Sequence, residues 1–338
     1  MRTKLAKFLY SLDSERGTHQ GTRSYTRWCE GYTTSANTRR RSCLVLISRE
    51  NLYNQTRTTW ITLSLHHSLT MRYLLYIFII IPSSLYMLLC LFMYFLQDQL
   101  LFFPSAPYLP HYEKLAKNPD LRNIRIQTDD GKMLDGWMQI GEKKPYTVLY
   151  FWGNGDETSY FVEKYRYKNA NIVSFNYRGY AYSTGKPSEK ALFADALTEY
   201  DYLIKNLWIT PEKIIVMGRS LGTGVATYLA SQRKVEGAIL ITPYASVESV
   251  AKESYSFLPV SLLITNPFRS DIYAAVQRNR LLCIYGWRDT IIPKQHTENL
   301  LTHWNGEIKK IFISDATHDN IYDFPEVESA INDFIPKK

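Results

Sequence analysis

Lys213-Ile214-Ile215-Val216-Met217-Gly218-Arg219-Ser220-Leu221-Gly222 is the stretch that decides how this chain folds. The apolar run Lys213 to Met217 reads as a buried strand, and the small-residue segment Thr223 to Gln232 reads as a helix. Between them, G-x-S-x-G leaves room only for a sharp strand-to-helix turn. A serine at the tip of such a turn takes a strained backbone conformation that pushes its hydroxyl out of the fold. Gly218 and Gly222 follow from the same geometry, because a Cβ at either position would meet the neighbouring strand or helix. Ser220 is therefore the expected nucleophile.

A serine hydroxyl is a weak nucleophile, and it needs a base whose tautomer is fixed by an acid. In sheets built this way such groups sit in loops at the carboxyl ends of strands. Two loops qualify, and they give the chain order Ser, Asp, His. After the strand Leu281–Tyr285 comes Gly286-Trp287-Arg288-Asp289-Thr290-Ile291-Ile292-Pro293. After the strand Lys310–Ile313 comes Ser314-Asp315-Ala316-Thr317-His318-Asp319-Asn320. Asp289 is read as the orienting acid and His318 as the base. Asp315 and Asp319 compete with Asp289, but a carboxylate so near in sequence rarely reaches the far ring nitrogen. His296 stands at a helix start, where it is expected to cap or pack, and His303 and His111 hold no strand-end position. Two backbone N–H donors are needed for a tetrahedral oxyanion. Leu221 supplies one at a helix N-terminus. Asn154 is chosen for the other, with Gly153 and Gly155 as alternatives, from the loop Trp152-Gly153-Asn154-Gly155-Asp156 after the strand Tyr146–Phe151.

From residue 105 to the end, strand-like and helix-like patterns alternate. Arg122–Ile126 and Met133–Ile140 flank the turn signal Asp129-Asp130-Gly131 and predict a hairpin. Strands follow at Tyr146–Phe151, Asn171–Asn176, Lys213–Met217, Gly237–Ile241, Leu281–Tyr285 and Lys310–Ile313. Helices are expected at Asp156–Lys168, Ser188–Asn206, Pro293–His303 and Pro325–Phe334, the last two opened by a proline in the first turn. Repeated β-α units imply an α/β fold: a mostly parallel central sheet with helices on both faces and the hairpin as an antiparallel edge. Tyr244–Val276, with Phe257, Leu258, Leu262 and Leu263, is expected to form a small cap over the serine. In the loop before the long helix, Arg178 reads as a brace.

The N-terminal part reads differently. Residues 1–70 carry 11 Lys+Arg against 4 Asp+Glu, a balance of +7 out of the net +8. They show no sustained periodicity and are read as a disordered or spurious extension, with Met71 as the alternative start. Tyr73–Phe95 is 23 residues without a charge and is read as an uncleaved transmembrane anchor that tolerates Pro82. Positive charge before it keeps the N-terminus cytoplasmic and puts the domain from 105 to 338 on the outer side, periplasmic or lumenal. That domain lacks the excess of basic residues that nucleic acid attracts. Cys29, Cys43, Cys90 and Cys283 have no metal spacing and no disulfide pattern. No metal or cofactor is expected, and nothing in the sequence sets an oligomeric state.

With these residues in hand, about 97–335 of the chain resembles the α/β-hydrolase superfamily, and within it the small membrane-anchored bud-emergence-like group and its bacterial relatives. The matching pieces are Gln99-Leu100-Leu101-Phe102-Phe103-Pro104, Gly153-Asn154-Gly155, Tyr177-Arg178-Gly179-Tyr180 with Pro187-Ser188-Glu189, the Gly218–Gly224 segment, and Gly286-Trp287-Arg288-Asp289 with Ile292-Pro293. Trp152 stands where many relatives have His, and Thr317 where Gly is commoner. The resemblance implies an α/β-hydrolase fold and a cofactor-free serine hydrolase. Its expected chemistry is cleavage of an ester or thioester, on a small-molecule acyl or lipid substrate beside the bilayer, through an acyl-enzyme on Ser220. Two other readings remain at this point: a peptidase acting on amides, and a membrane-tethered binding protein that keeps the fold without turnover.

Overall fold

The computed structural model describes residues 59–61, 63–155 and 157–337. The chain divides into two units, Met1–Tyr86 and Met87–Lys338. Helix α1, Thr59–Leu101, has a mean hydropathy of 2.3 over its most apolar window and no buried residue in that window, so it is long and apolar enough to cross a membrane. It starts inside the segment 1–70 that the sequence left without a fold; residues 1–58 and 62 of that segment lie outside the described residues. A π-helical turn occupies Tyr76–Ile80, closed by the Ile81 N–H donating to the Tyr76 carbonyl. Pro82 explains the wide turn: it has no N–H, and its ring would strike the carbonyl four residues back in a regular helix.

The second unit is built on eight strands: β1 Leu121–Gln127, β2 Met133–Gln139, β3 Tyr146–Phe151, β4 Ala170–Phe175, β5 Ile214–Arg219, β6 Gly237–Ile241, β7 Arg280–Gly286 and β8 Ile308–Ile313. Their order in the sheet is β1-β2-β4-β3-β5-β6-β7-β8. The β1–β2 hairpin is antiparallel and joins the sheet through an antiparallel β2–β4 pairing, whereas every pairing from β4 to β8 is parallel. The expected α/β architecture with an antiparallel edge is thus the observed one.

Burial shows why the central strands read as continuous apolar runs. In β5, Ile214 and Val216 join one core and Ile215 and Met217 the other. In β6 the division is Ala238 and Leu240 against Ile239 and Ile241. Alternate side chains of one strand thus enter two cores, and both faces must be apolar. The first core is covered by α4, Glu189–Lys205, and α5, Leu221–Gln232; the second packs against α2, Leu109–Ala116, α3, Thr158–Lys164, and α10, Pro325–Phe334. Ser188 caps α4 by accepting the Ala191 N–H at 3.2 Å. Pro325 opens α10 as its first residue, but Pro293 stands at the N-cap of α9, Lys294–His303, one position outside the helix.

Between β6 and β7 the chain leaves the sheet and makes three short helices, α6 Val247–Ser254, α7 Val260–Leu263 and α8 Ser270–Ala274. These occupy the segment read as a cap.

Candidate active site

The turn between β5 and α5 is as tight as its glycines require. Ser220 has φ 50° and ψ −120°, a conformation that costs a non-glycine residue about 1–3 kcal/mol. A Cβ on Gly218 would lie 2.3 Å from the Gly222 carbonyl oxygen, and a Cβ on Gly222 would lie 2.2 Å from that of Phe151. The Ser220 N–H donates to the Ile241 carbonyl at 2.9 Å, which ties the strained residue to the end of β6.

The two loops named from sequence arrive at this serine. His318 Nε2 is 2.9 Å from Ser220 Oγ, and His318 Nδ1 is 2.8 Å from Asp289 Oδ2. The other carboxylate oxygen of Asp289 accepts the N–H groups of Ile291 at 2.9 Å and Ile292 at 2.7 Å. Both oxygens are therefore engaged, and the carboxylate is fixed in rotation. All three side chains are buried. A hydroxyl on an imidazole, itself on a buried carboxylate, is the arrangement in which a serine can lose its proton as it attacks.

The competing groups are elsewhere. Asp315 pairs with Arg288 at 3.0 Å, both largely exposed, and the Asp319 side chain is almost fully exposed. His296 is buried and joins two residues of α6, with Nε2 2.7 Å from Glu253 and Nδ1 3.2 Å from Ser249 Oγ. It packs and links, as its helix-start position suggested. His303 is half-buried at the end of α9, and His111 stacks on Tyr160 at 4.0 Å.

A cavity of about 440 Å³ has Ser220, Leu221 and Asn154 in its lining. Leu221 is the first residue of α5, where backbone N–H groups lack intrahelical partners. A Cβ on Gly153 would lie 3.7 Å from the Ser220 Cβ, so this loop passes directly over the nucleophile turn. Of the loop's residues, Asp156 lies outside the described ones. The cap walls the cavity with Val250, Ala251, Leu258 and Leu263, whereas Phe257 and Leu262 are exposed on its outer surface. Among the described residues, no group of His, Cys, Asp and Glu is placed to hold a metal ion.

Several positioning residues were not assigned from sequence. The Tyr180 hydroxyl donates to the Asn154 carbonyl at 2.7 Å, and the Tyr177 hydroxyl to that of Trp152 at 2.8 Å. Burial raises the pKa of both phenols above the ordinary value, so they remain donors through the neutral range. Arg178, between them, is the brace expected of it: it bonds the Asp195 carboxylate at 2.6 Å and that of Asp130 at 2.6 Å. The Tyr177–Tyr180 motif could have pointed to this role, since two tyrosines around a turn glycine can both face one loop. Arg219 donates to the His318 carbonyl at 2.9 Å, and Asn320 Oδ1 accepts the Thr317 N–H at 2.7 Å; together they fix the loop that carries the histidine.

Comparison with known proteins agrees with this fold. A model of an alpha/beta hydrolase family of unknown function matches residues 147–254. An uncharacterized protein of Mycobacterium tuberculosis is 31% identical over 217 residues, covering 62% of this chain and 76% of that protein. The alpha/beta hydrolase domain-containing protein 17C of Xenopus tropicalis is 30% identical over 221 residues, covering 63% and 69%. This chain belongs to the α/β-hydrolase superfamily. An esterase of Pyrococcus furiosus superposes with a TM-score of 0.56 at 19% identity, over 70% of this chain and 97% of the esterase. An alpha-beta hydrolase of Vibrio vulnificus gives 0.55 at 18%, over 66% and 84%. At such identities the likeness is one of fold. It places the central sheet of this α/β-hydrolase in a known architecture, and its chemistry rests on its own side chains.

Proposed function

We propose that this α/β-hydrolase is a membrane-anchored serine hydrolase that cleaves an ester or thioester of a small-molecule acyl or lipid substrate. The observation that carries the reading is the unbroken hydrogen-bond chain from Ser220 Oγ through His318 to Asp289, opening on an apolar cavity. In this mechanism His318 Nε2 takes the Ser220 proton as Oγ attacks the acyl carbonyl, and Asp289 stabilises the imidazolium. The N–H groups of Leu221 and Asn154 receive the oxyanion. The imidazolium then gives its proton to the departing alcohol or thiol, leaving an ester on Ser220. A water, deprotonated by His318, attacks that ester; the Oγ–acyl bond breaks, the imidazolium returns the proton to Ser220 Oγ, and the acid is freed. The mechanism uses no metal or cofactor.

Helix α1 supports the membrane part of the reading by its length and apolarity. The N-terminal excess of positive charge favours a cytoplasmic N-terminus, with the hydrolase unit on the outer side, periplasmic or lumenal. Most of the side chains that line the cavity are apolar, which suits an acyl group better than a charged peptide.

Labelling by a fluorophosphonate probe tests the chemistry. Folded full-length protein is expected to label, Ser220→Ala to lose all labelling, and Asp289→Ala to label at least a hundred-fold more slowly. Absence of labelling of the folded wild type would instead leave a binding protein. Faster hydrolysis of amino-acyl anilides than of p-nitrophenyl esters would shift the substrate class to amides.

A further inference from the structure

We propose that the last turns of α1 form one wall of an acyl-chain subsite, and that Met93 marks its far end and sets the longest acyl group accepted. The proposal rests on the serine-hydrolase reading for its chemistry, but its geometry stands apart from turnover. Met93, Gln97, Leu100 and Leu101 line the same cavity as Ser220. They recur at spacings of three and four residues, so they form one stripe along the helix. Val250, Ala251, Leu258 and Leu263 of the cap also line it.

The stripe has a direction. Just beyond Leu101, the Phe103 N–H donates to the Asn154 carbonyl at 2.9 Å, so this end of the helix reaches the proposed oxyanion loop. Met93 lies eight residues back, about 12 Å along the helix axis. A linear hydrocarbon attached at Ser220 and following the stripe would run from Leu101 and Leu100 toward Met93. A methionine suits the end of such a channel, because its thioether adapts to variable contact.

The wall is also fixed in place. Gln97 Nε2 donates to the Leu263 carbonyl at 3.0 Å, and Gln97 Oε1 accepts the Thr265 N–H at 2.8 Å. Asp98 accepts from Asn266 Nδ2 at 2.8 Å, and Asn266 accepts the Glu189 N–H at 2.8 Å. These bonds join helix, cap and α4 around the channel. They also occupy the polar atoms of Gln97, so that residue presents little unpaired polarity to a hydrocarbon.

The test uses the full chain in phospholipid nanodiscs and p-nitrophenyl esters of butyrate, octanoate and palmitate. Met93→Trp is expected to lower the palmitate-to-butyrate ratio of kcat/KM about tenfold, as a side chain that displaces a few methylenes would, and Met93→Ala to raise it. Phe92→Trp, on an exposed neighbour outside the cavity, is expected to leave the ratio unchanged. A second readout needs no catalysis: displacement of a fluorescent fatty acid from Ser220→Ala protein by unlabelled fatty acids of graded length. Met93→Trp in that background is expected to weaken the long competitors selectively. An unchanged length profile in an active enzyme overturns the subsite and leaves the hydrolase reading intact. Fatty-acid binding that responds to Met93 without any ester hydrolysis overturns the hydrolase reading and leaves the subsite. Neither binding nor hydrolysis by the folded protein overturns both.

Discussion

The floor and the roof of the cavity are built by different means. The floor is the carboxyl end of β3, β5 and β6 with the Ser220 turn, where backbone meets backbone and nothing can enlarge. The roof is α6 and α7, two helices of 8 and 4 residues, tied to the body by polar contacts such as His296 with Glu253 and Gln97 with Leu263. Close-packed backbone transmits any added volume as strain. A polar tie with one partner half exposed, as Glu253 is, can exchange for water at small cost. The comparison therefore predicts that floor changes alter stability and chemistry together, whereas roof changes alter how substrate is held.

Gly222→Ala should show the larger effect. Its new methyl would sit 2.2 Å from the Phe151 carbonyl oxygen and 2.3 Å from that of Trp152, the residue before Gly153. Relief requires the whole loop beneath Asn154 to move. We expect a loss of about 3 kcal/mol, at the upper end of overpacking costs. For a unit of this size, that lowers Tm by about 6–12 °C by calorimetry. kcat for an ester substrate should fall at least a hundred-fold, because an oxyanion donor would be displaced. A variant with unchanged Tm would show that the floor is less rigid than its contacts indicate.

The same contrast explains which parts of the molecule the sequence could show. Strands such as Ile214–Arg219 announce themselves by local apolar runs, and the Gly218-Arg219-Ser220-Leu221-Gly222 turn by glycines that only one geometry demands. The spacing of Asp289 and His318 after two such strands made their meeting with Ser220 legible, because parallel strands deliver their loops to one edge. The roof was legible only as a place. Its helices are too short for a period to register, and the split between inward Leu258 and outward Phe257 is set by contacts with distant segments. Gln97 reaches a carbonyl 166 residues away, and Tyr180 one that lies 26 residues back; no local pattern encodes either bond. The charge-free run read as an anchor stops at Phe95, but the helix continues to Leu101, and its last turn faces the cavity.

His296→Ala tests the roof with a smaller expected effect. It removes both of the histidine's links from α9 to α6, yet Gln295 keeps its bond to Glu253 at 3.0 Å, Glu253 is half exposed and Ser249 keeps its bond to the Ser246 carbonyl at 2.8 Å. Water can replace what is lost. We expect Tm to fall by no more than about 4 °C, consistent with a cost near 1 kcal/mol. KM for a long-chain ester should rise several-fold, with kcat within about two-fold. A collapse of Tm equal to that of Gly222→Ala would erase the distinction between floor and roof.

The smallest effect is expected beneath the turn that carries Tyr177 and Tyr180, and it sharpens the comparison by placing the end of the floor's influence. Bonding to the Arg178 guanidinium, then to the Thr128 hydroxyl, lowers the Asp130 pKa from 3.8 to about 2. A carboxyl held down in the folded state contributes stability above its unfolded value, and that contribution is lost as pH falls through the folded one. Asp130→Asn should therefore lower Tm slightly and by a constant amount above about pH 5, and the difference from wild type should shrink between about pH 4 and pH 2. Asp130 is exposed enough for salt to screen the pair, so 1 M NaCl should reduce the difference at neutral pH as well. Arg178 still holds the buried Asp195 in this variant, so the turn stays braced and ester hydrolysis should keep its wild-type kcat. A marked fall in kcat would mean that the floor's rigidity extends through Arg178 to the protein surface, and that the two tyrosines depend on a charge in solvent to hold the loop above Ser220.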